Sequence, residues 1–158
     1  LIRNQDDEFN FRLIKKGFKI FLSPEIRCKY YVRGTYKKLY KQYFQYGYWK
    51  VFVNKKHKSI TTLRQLVPLF FVLFLLLGGL LSIFSKTVFG FYLLTFALYL
   101  LLSFLAAIKQ SSNFSEVLKI IYVFFILHFS YGWGYLIGIL DFLLLNKTPQ
   151  TKHTIMSR

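Results

Sequence analysis

Three stretches of the chain run without a charged residue for the length of a membrane crossing. Leu66 to Ser85 is closed by Lys86, Thr87 to Ile108 by Lys109, and Ile120 to Leu140 by Asp141. About 20 apolar residues cover the ~30 Å hydrocarbon layer at 1.5 Å per residue, so the pattern predicts transmembrane helices over about 66–85, 87–108 and 120–142. Only Ser85-Lys86-Thr87 separates the first two, which therefore form a tight antiparallel hairpin. Pro68 falls in the first turn of the first helix, where its missing N–H costs least. Gln110 to Asn113 breaks the pattern, and Ser115 and Glu116 offer helix-start chemistry before the third run. Gly134 and Gly138, four residues apart, have the small-xxx-small spacing of closely packed helices, and Gly78-Gly79 is either a second close contact or a tolerated pair.

The first 65 residues follow other periods. Residues 4–17 read as a helix, with Asn4 as its cap, Asp6, Asp7 and Glu8 at its positive end, and Gly17 just past its C-terminus. Phe18 to Leu22 reads as a short buried strand ended by Ser23-Pro24, and Ile26 to Val32 as a second. From Thr35 to Val53 the spacing turns helical again. Tyr36, Leu39, Tyr40, Tyr43, Phe44, Tyr46 and Gly47 recur at three- and four-residue steps with Lys37, Lys38 and Lys41 between them. Rings on one face and lysines on the other describe an interfacial amphipathic helix. The expected fold class is a membrane α-helical protein with a small α/β remnant. It divides into that remnant (1–34), the interfacial helix and linker (35–65), the transmembrane helices (66–145) and a basic tail (146–158).

Charge sharpens this division. Of 22 Lys+Arg and 6 Asp+Glu, 16 basic and 4 acidic residues fall in residues 1–65, leaving a net +4 for the longer apolar part. Such a composition excludes a disordered chain, a disulfide-stapled secreted domain and an ordinary soluble globule. The lone Cys28 has no Cys or His at metal-ligand spacing and reads as a tolerated or buried thiol. The opening on Leu1 and a charged segment gives no signal-peptide pattern, and it leads us to expect a further upstream part of the functional unit.

The lysines and arginines of 27–64 make that side cytoplasmic by the positive-inside rule, with the Lys109–Lys119 connection on the same side and Lys86 outside. Three crossings place the tail outside, against Lys147, Lys152 and Arg158. Either the tail tolerates this or the third segment does not fully cross. His128 lies near the middle of that segment, with Asp141 just beyond it. An ionisable group at membrane depth is either functional or a neutral histidine bonded to a neighbouring helix. Anionic lipid is the partner expected for the basic, aromatic helix, rather than nucleic acid.

Asp6-Asp7-Glu8 is the one acidic cluster. Its mutual repulsion raises the proton affinity of at least one carboxylate, which then suits proton removal from a hydroxyl. The same residues equally complement a helix dipole. No Ser/His/Asp set, CxxC or phosphate-cradling glycine loop is present.

Asn4-Gln5-Asp6-Asp7-Glu8-Phe9-Asn10-Phe11-Arg12-Leu13, followed by Gly17, Ile20 and Pro24, resembles the C-terminal part of the catalytic domain of family 2 glycosyltransferases. The nearer likeness is to the bacterial membrane enzymes that build exopolysaccharide and surface glycans, the succinoglycan-type group. Leu39-Tyr40-Lys41-Gln42-Tyr43-Phe44-Gln45-Tyr46 is similar to the group's Leu-x-x-Gln-x-x-Arg-Trp, with Gln45 for Arg and Tyr46 for Trp. A register shifted to Trp49 keeps the tryptophan and loses the leucine. His128-Phe129-Ser130-Tyr131-Gly132-Trp133-Gly134 with Gly138 is similar to the group's last membrane segment.

The resemblance implies a GT-A domain end. Asp6 is the implied base, where the family's Glu-Asp pair has become Gln5-Asp6, and Asp7 is the adjacent rival. Glu8 and Arg12 are implied as supports, and Gln42, Gln45, Tyr46, Arg33 and Trp49 as contacts to acceptor and donor diphosphate. It further implies inverting sugar transfer from a nucleotide-sugar donor to a lipid-linked or polysaccharide acceptor. The missing motif arginine weakens any processive synthesis. The family's Asp-x-Asp metal site does not occur in this sequence, so a divalent ion (Mg or Mn) is expected only in the full protein. The chain as it stands is expected to be inactive alone. The rival reading is a non-enzymatic anchor or assembly protein that binds anionic lipid through its basic segment. A third is a piece of a transporter with His128 in a polar path.

Overall fold

The computed structural model describes residues 4–29, 31, 34–60 and 62–147. Its elements are helices: α1 (Gln5–Lys15), α2 (Tyr36–His57), a 3₁₀ turn (Leu63–Leu66), α3 (Val67–Leu73), a π-helical stretch (Phe74–Gly78), α4 (Gly79–Ser82), α5 (Lys86–Ile108), α6 (Phe114–Gly138) and a second π-helical stretch (Ile139–Leu144). Among the described residues there is no strand. Phe18 to Leu22 is irregular, with Phe21 86% and Leu22 90% exposed. A strand exists only by pairing, and among the described residues no neighbouring extended segment bonds this one. Ile26 to Lys29 is irregular as well, and Val32 lies outside the described residues.

Helix α1 ends as its sequence predicts, with Gly17 in the left-handed region at φ 83°. Its start differs. Asn4 is itself left-handed, at φ 58°, and its side chain does not cap the helix. Instead its Nδ2 donates to the carbonyl of Tyr46 at 3.1 Å, which ties α1 to the middle of α2. Thr35 caps α2, accepting from the Lys38 amide at 3.3 Å, and Lys55, Lys56 and His57 complement its C-terminal end.

Among the described residues three segments are long and apolar enough to cross a membrane: Leu63–Ser82, Lys86–Ile108 and Phe114–Leu144. Pro68 sits in the first turn of α3, and Ser85 caps α5. The hairpin closes with Phe74 stacked on Tyr92 at 4.9 Å and Phe71 against Tyr99 at 4.7 Å. The third segment starts earlier than the apolar run suggests. Asn113 rather than Ser115 caps it, its Oδ1 accepting from the Ser115 amide at 2.9 Å, while Glu116 accepts from the Ser111 hydroxyl at 2.6 Å.

The core lies between α2 and α6. Tyr48, Trp49, Val51, Leu69, Tyr135 and Phe142 are buried in one cluster. This changes the reading of α2. Lysine and ring faces separate as expected over its first turns, where Lys37, Lys38 and Lys41 are exposed. Beyond Tyr43 most of the apolar face is covered by α6 instead of being left for lipid. Glycine makes that possible. A Cβ on Gly47 would overlap the backbone of Tyr131, one on Gly134 the backbone of Phe44, and one on Gly138 would press on Tyr48 and Val51. The 134/138 spacing thus finds its partner in α2.

Candidate functional site

A cleft of about 360 Å³ opens where α1 meets α2 and α6, lined by Asn4, Asp6, Asp7, Tyr46, Lys50 and Tyr131. Three helices deliver these groups for separate reasons. The Asn4 amide pins the start of α1 over Tyr46, which brings the next residues of α1, Asp6 and Asp7, to the rim. Tyr46 and Lys50 are one turn apart on α2 and share a face. Tyr131 reaches the cleft because Gly47 lets α6 approach the α2 backbone.

The three acids, adjacent in sequence, go to three surroundings. Asp6 is exposed at the cleft. Asp7 is paired with the Lys50 ammonium, whose side chain is 9% exposed. Glu8 is buried at 3% exposure and belongs to another cluster. It accepts from Lys56 Nζ at 2.8 Å, from His57 Nε2 at 3.0 Å and from Arg12 Nε at 3.1 Å. The Lys56 hydrogen bond, assisted by His57 and the charges of Arg12 and Lys56, holds the Glu8 carboxyl below its ordinary value against the opposing effect of burial. The repulsion expected to raise a carboxylate of this triplet therefore does not govern Glu8, whose titration moves the other way.

The remaining expected site residues are distributed unevenly. Gln42 stands behind the cleft, its Nε2 donating to the Tyr46 hydroxyl at 2.8 Å and so bracing that ring. Gln45 and Trp49 are buried and line no part of the cleft, Trp49 packing against Tyr48 and Phe52. Arg12 bonds Glu8 on the far side of α1, and Arg33 lies outside the described residues. Lys50, Tyr131, Lys56 and His57 are not among the site residues expected from the sequence. Lys50 was legible in principle, four residues after Tyr46 and eight after Gln42. Tyr131 stands in the segment likened to the group's last membrane helix, but neither its place at the cleft nor that of His57 beside Glu8 is marked in the sequence, because α6 and α1 meet α2 only in the folded chain.

Among the described residues no three His, Cys, Asp or Glu side chains gather to hold a metal. In the cleft the two carboxylates share their space with the Lys50 ammonium, a set that does not fit a divalent cation. His128 Nδ1 is 2.8 Å from the Phe124 carbonyl of its own helix and 3.5 Å from the Tyr99 hydroxyl of α5, and its ring lies against Phe71 and Tyr99.

The chain is 41% identical over 81 residues to dolichyl N-acetyl-alpha-D-glucosaminyl phosphate 3-beta-D-2,3-diacetamido-2,3-dideoxy-beta-D-glucuronosyltransferase of Methanococcus voltae, a match covering 51% of this chain and 25% of the relative. It is 36% identical over 66 residues to succinoglycan biosynthesis protein ExoA of Rhizobium meliloti (strain 1021), covering 42% of this chain and 20% of that protein. Over these stretches the chain is similar to proteins of glycan synthesis, the first of them a glycosyltransferase by name. The likeness agrees with the resemblance read from the residues around Asp6 and Gln42. The matched region spans about a quarter and a fifth of those relatives' lengths. No protein-family description matches the chain, and no solved structure does.

Proposed function

We propose that this glycosyltransferase-like chain forms the acceptor-side end of a membrane-bound, inverting family 2 glycosyltransferase that builds cell-surface glycan or exopolysaccharide. The observation that carries the reading is the cleft itself, which sets an exposed carboxylate on α1 against aromatic groups of α2 and α6. Asp6 takes the proton of an acceptor hydroxyl as that oxygen attacks the anomeric carbon of a nucleotide-sugar. The bond to the nucleoside diphosphate breaks, and the electron pair leaves with the diphosphate. Asp7 is the weaker candidate because its carboxylate is committed to Lys50. Tyr46, braced by Gln42, offers a ring for a sugar to stack on. The division into a catalytic-domain end (1–34), an α2 region (35–65) and an apolar helical part (66–145) is retained, with the donor pocket and its divalent ion assigned to sequence beyond this chain. The basic side faces the cytoplasm, and the acceptor is lipid-linked or a growing glycan.

The test is sugar transfer by the full-length protein carrying Asp6→Asn. Removing a general base costs about 10²–10⁴-fold in rate. Asp7→Asn is expected to cost less, and membrane insertion is unchanged in both. Near-normal transfer by Asp6→Asn rejects Asp6 as the base. Absence of any transfer by the unmodified full-length protein favours the rival, a lipid-binding anchor using the exposed Lys37, Lys38 and Lys41.

A further inference from the structure

We infer that the third apolar segment does not cross the bilayer: α6 lies with α2 along one membrane face, and both its ends stay on the side of α1. Two independent sets of contacts require this. The first is the pairing of α6 with a helix too polar to span. Between Tyr36 and His57, α2 carries Lys37, Lys38, Lys41, Lys50, Lys55 and Lys56. So many charges are not accommodated across a hydrocarbon layer. Yet α6 follows α2 from end to end, in the same direction. The ring of Tyr36 meets Tyr122 at 5.1 Å, and Phe44 underlies Gly134. Tyr48 donates to Asp141 at 3.1 Å, and Lys55 Nζ donates to Asn146 Oδ1 at 2.9 Å. Residues 122–146 are therefore held at the depth of α2.

The second set joins the start of the first span to the end of the third. Leu66 and Leu69 share a cavity of about 520 Å³ with Ile139 and Leu143. Asn54 Nδ2 donates both to Gln65 Oε1 at 2.9 Å and to the Tyr135 hydroxyl at 3.0 Å. In a three-pass arrangement these two ends lie on opposite faces, ~30 Å apart. The hairpin supplies the remaining step. Because α5 returns alongside α3, the connection at 109–113 comes back to the side on which the first span began. Both ends of α6 are thus on one face, and among the described residues the turn at Lys86 is on the other.

This topology also resolves the charge pattern. Lys109, Lys119 and Lys147 join the lysines of α2 on one side, so Lys147 no longer violates the positive-inside rule. The partner of the α2–α6 pair is an anionic leaflet. Exposed Phe114, Leu118 and Tyr122 supply apolar contact, and Lys37, Lys38 and Lys41 supply charge.

Cysteine labelling tests the arrangement without reference to enzyme activity. In a Cys28→Ser background, Lys58→Cys, Lys86→Cys and Lys147→Cys are each treated with a membrane-impermeant maleimide in sealed vesicles of one orientation, before and after permeabilisation. Lys147→Cys is expected to label under the same condition as Lys58→Cys, and Lys86→Cys under the opposite one. Arg158→Cys gives the same readout if Lys147→Cys fails to insert, since Lys147 also contacts Asp141. Labelling of either reporter together with Lys86→Cys, or equal labelling from both sides, overturns the inference.

Discussion

The α2–α6 seam and the α3–α5 hairpin are both helix pairs rich in rings and glycine, yet they are held in different ways. In the seam, Gly47 and Gly134 bring backbone against backbone, and Tyr48 donates to a buried Asp141. Asn54 and Lys55 add polar ties at its end. In the hairpin the contacts are ring on ring, and Leu93, Leu94, Leu98, Leu101 and Leu102 of α5 remain exposed for lipid. Lipid tails are as apolar as leucine, so burying such side chains between helices gains little within a membrane. Specific geometry comes from close approach and polar pairing, and these are concentrated in the seam. The seam is also where the cleft is built.

Breaking the seam should therefore have the largest effect. In Gly134→Ala the new methyl would overlap the carbonyl of Phe44, and in Gly47→Ala that of Tyr131, both backbone atoms that cannot swing aside. Overpacking of this kind costs about 1–3 kcal/mol and more when the obstacle is rigid. Both variants should lose α2–α6 contact, read as loss of disulfide trapping between cysteines placed at Tyr36 and Tyr122 in a Cys28→Ser background. Trapping as efficient as in the parent would show that the glycines are not what seats α2.

How much of this was readable in advance depends on whether a feature is local. The three apolar segments, the Lys86 turn, Pro68 in a first turn and the left-handed Gly17 follow from nearest-neighbour chemistry, and all are present. The strand at Phe18 to Leu22 was not safe to read, because an apolar run carries no record of whether a partner strand lies beside it. Periodicity showed that α2 has an apolar face, but not that α6 rather than lipid covers it. The acidic triplet is the clearest case. Residues adjacent on a helix point about 100° apart, so one cluster in sequence became an exposed carboxylate, a lysine pair and a buried ion network. Asp6, Asp7 and Tyr46, expected from the sequence and its resemblance, all line the cleft. That Lys50 and Tyr131 also line the cleft follows only from the packing of α1 and α6 against α2.

A smaller effect separates the seam from the docking of α1. The seam is held largely by shape, whereas Glu8 fastens α1 to Lys56 and His57 through charge, beside the ring of Phe11. Its carboxyl is held below the ordinary value of 4.5. The sign follows from linkage. A lowered folded value means that the carboxylate stabilises docking above about 4.5 and that this is lost as pH falls through the lower folded value. Protonated Glu8 then leaves the Arg12 and Lys56 cations without their shared counter-charge. Below pH 4.5 the Phe18–Lys29 stretch should become more open to acid-active protease while α2–α6 trapping persists. Glu8→Gln should show the open pattern at neutral pH and no further change on acidification. A parallel acid response in that variant would assign the effect to other groups.

The smallest effects should lie in the hairpin, and they sharpen what the seam's glycines do. A Cβ on Gly78 would come within 2.9 Å of Tyr92 Cδ2, a ring able to turn, while a Cβ on Gly90 would meet nothing within 4 Å. Gly78→Ala should therefore cost less than Gly134→Ala, and Gly90→Ala should be neutral or stabilising by up to about 1 kcal/mol through reduced backbone entropy. The three substitutions make the same chemical change at three helix positions. If resistance to detergent denaturation ranks Gly90→Ala above Gly78→Ala above Gly134→Ala, the obstacle facing each glycine sets its importance, rather than glycine content as such. Equal losses at all three would mean that the helices need glycine for flexibility along their length, and the contrast between seam and hairpin would fail.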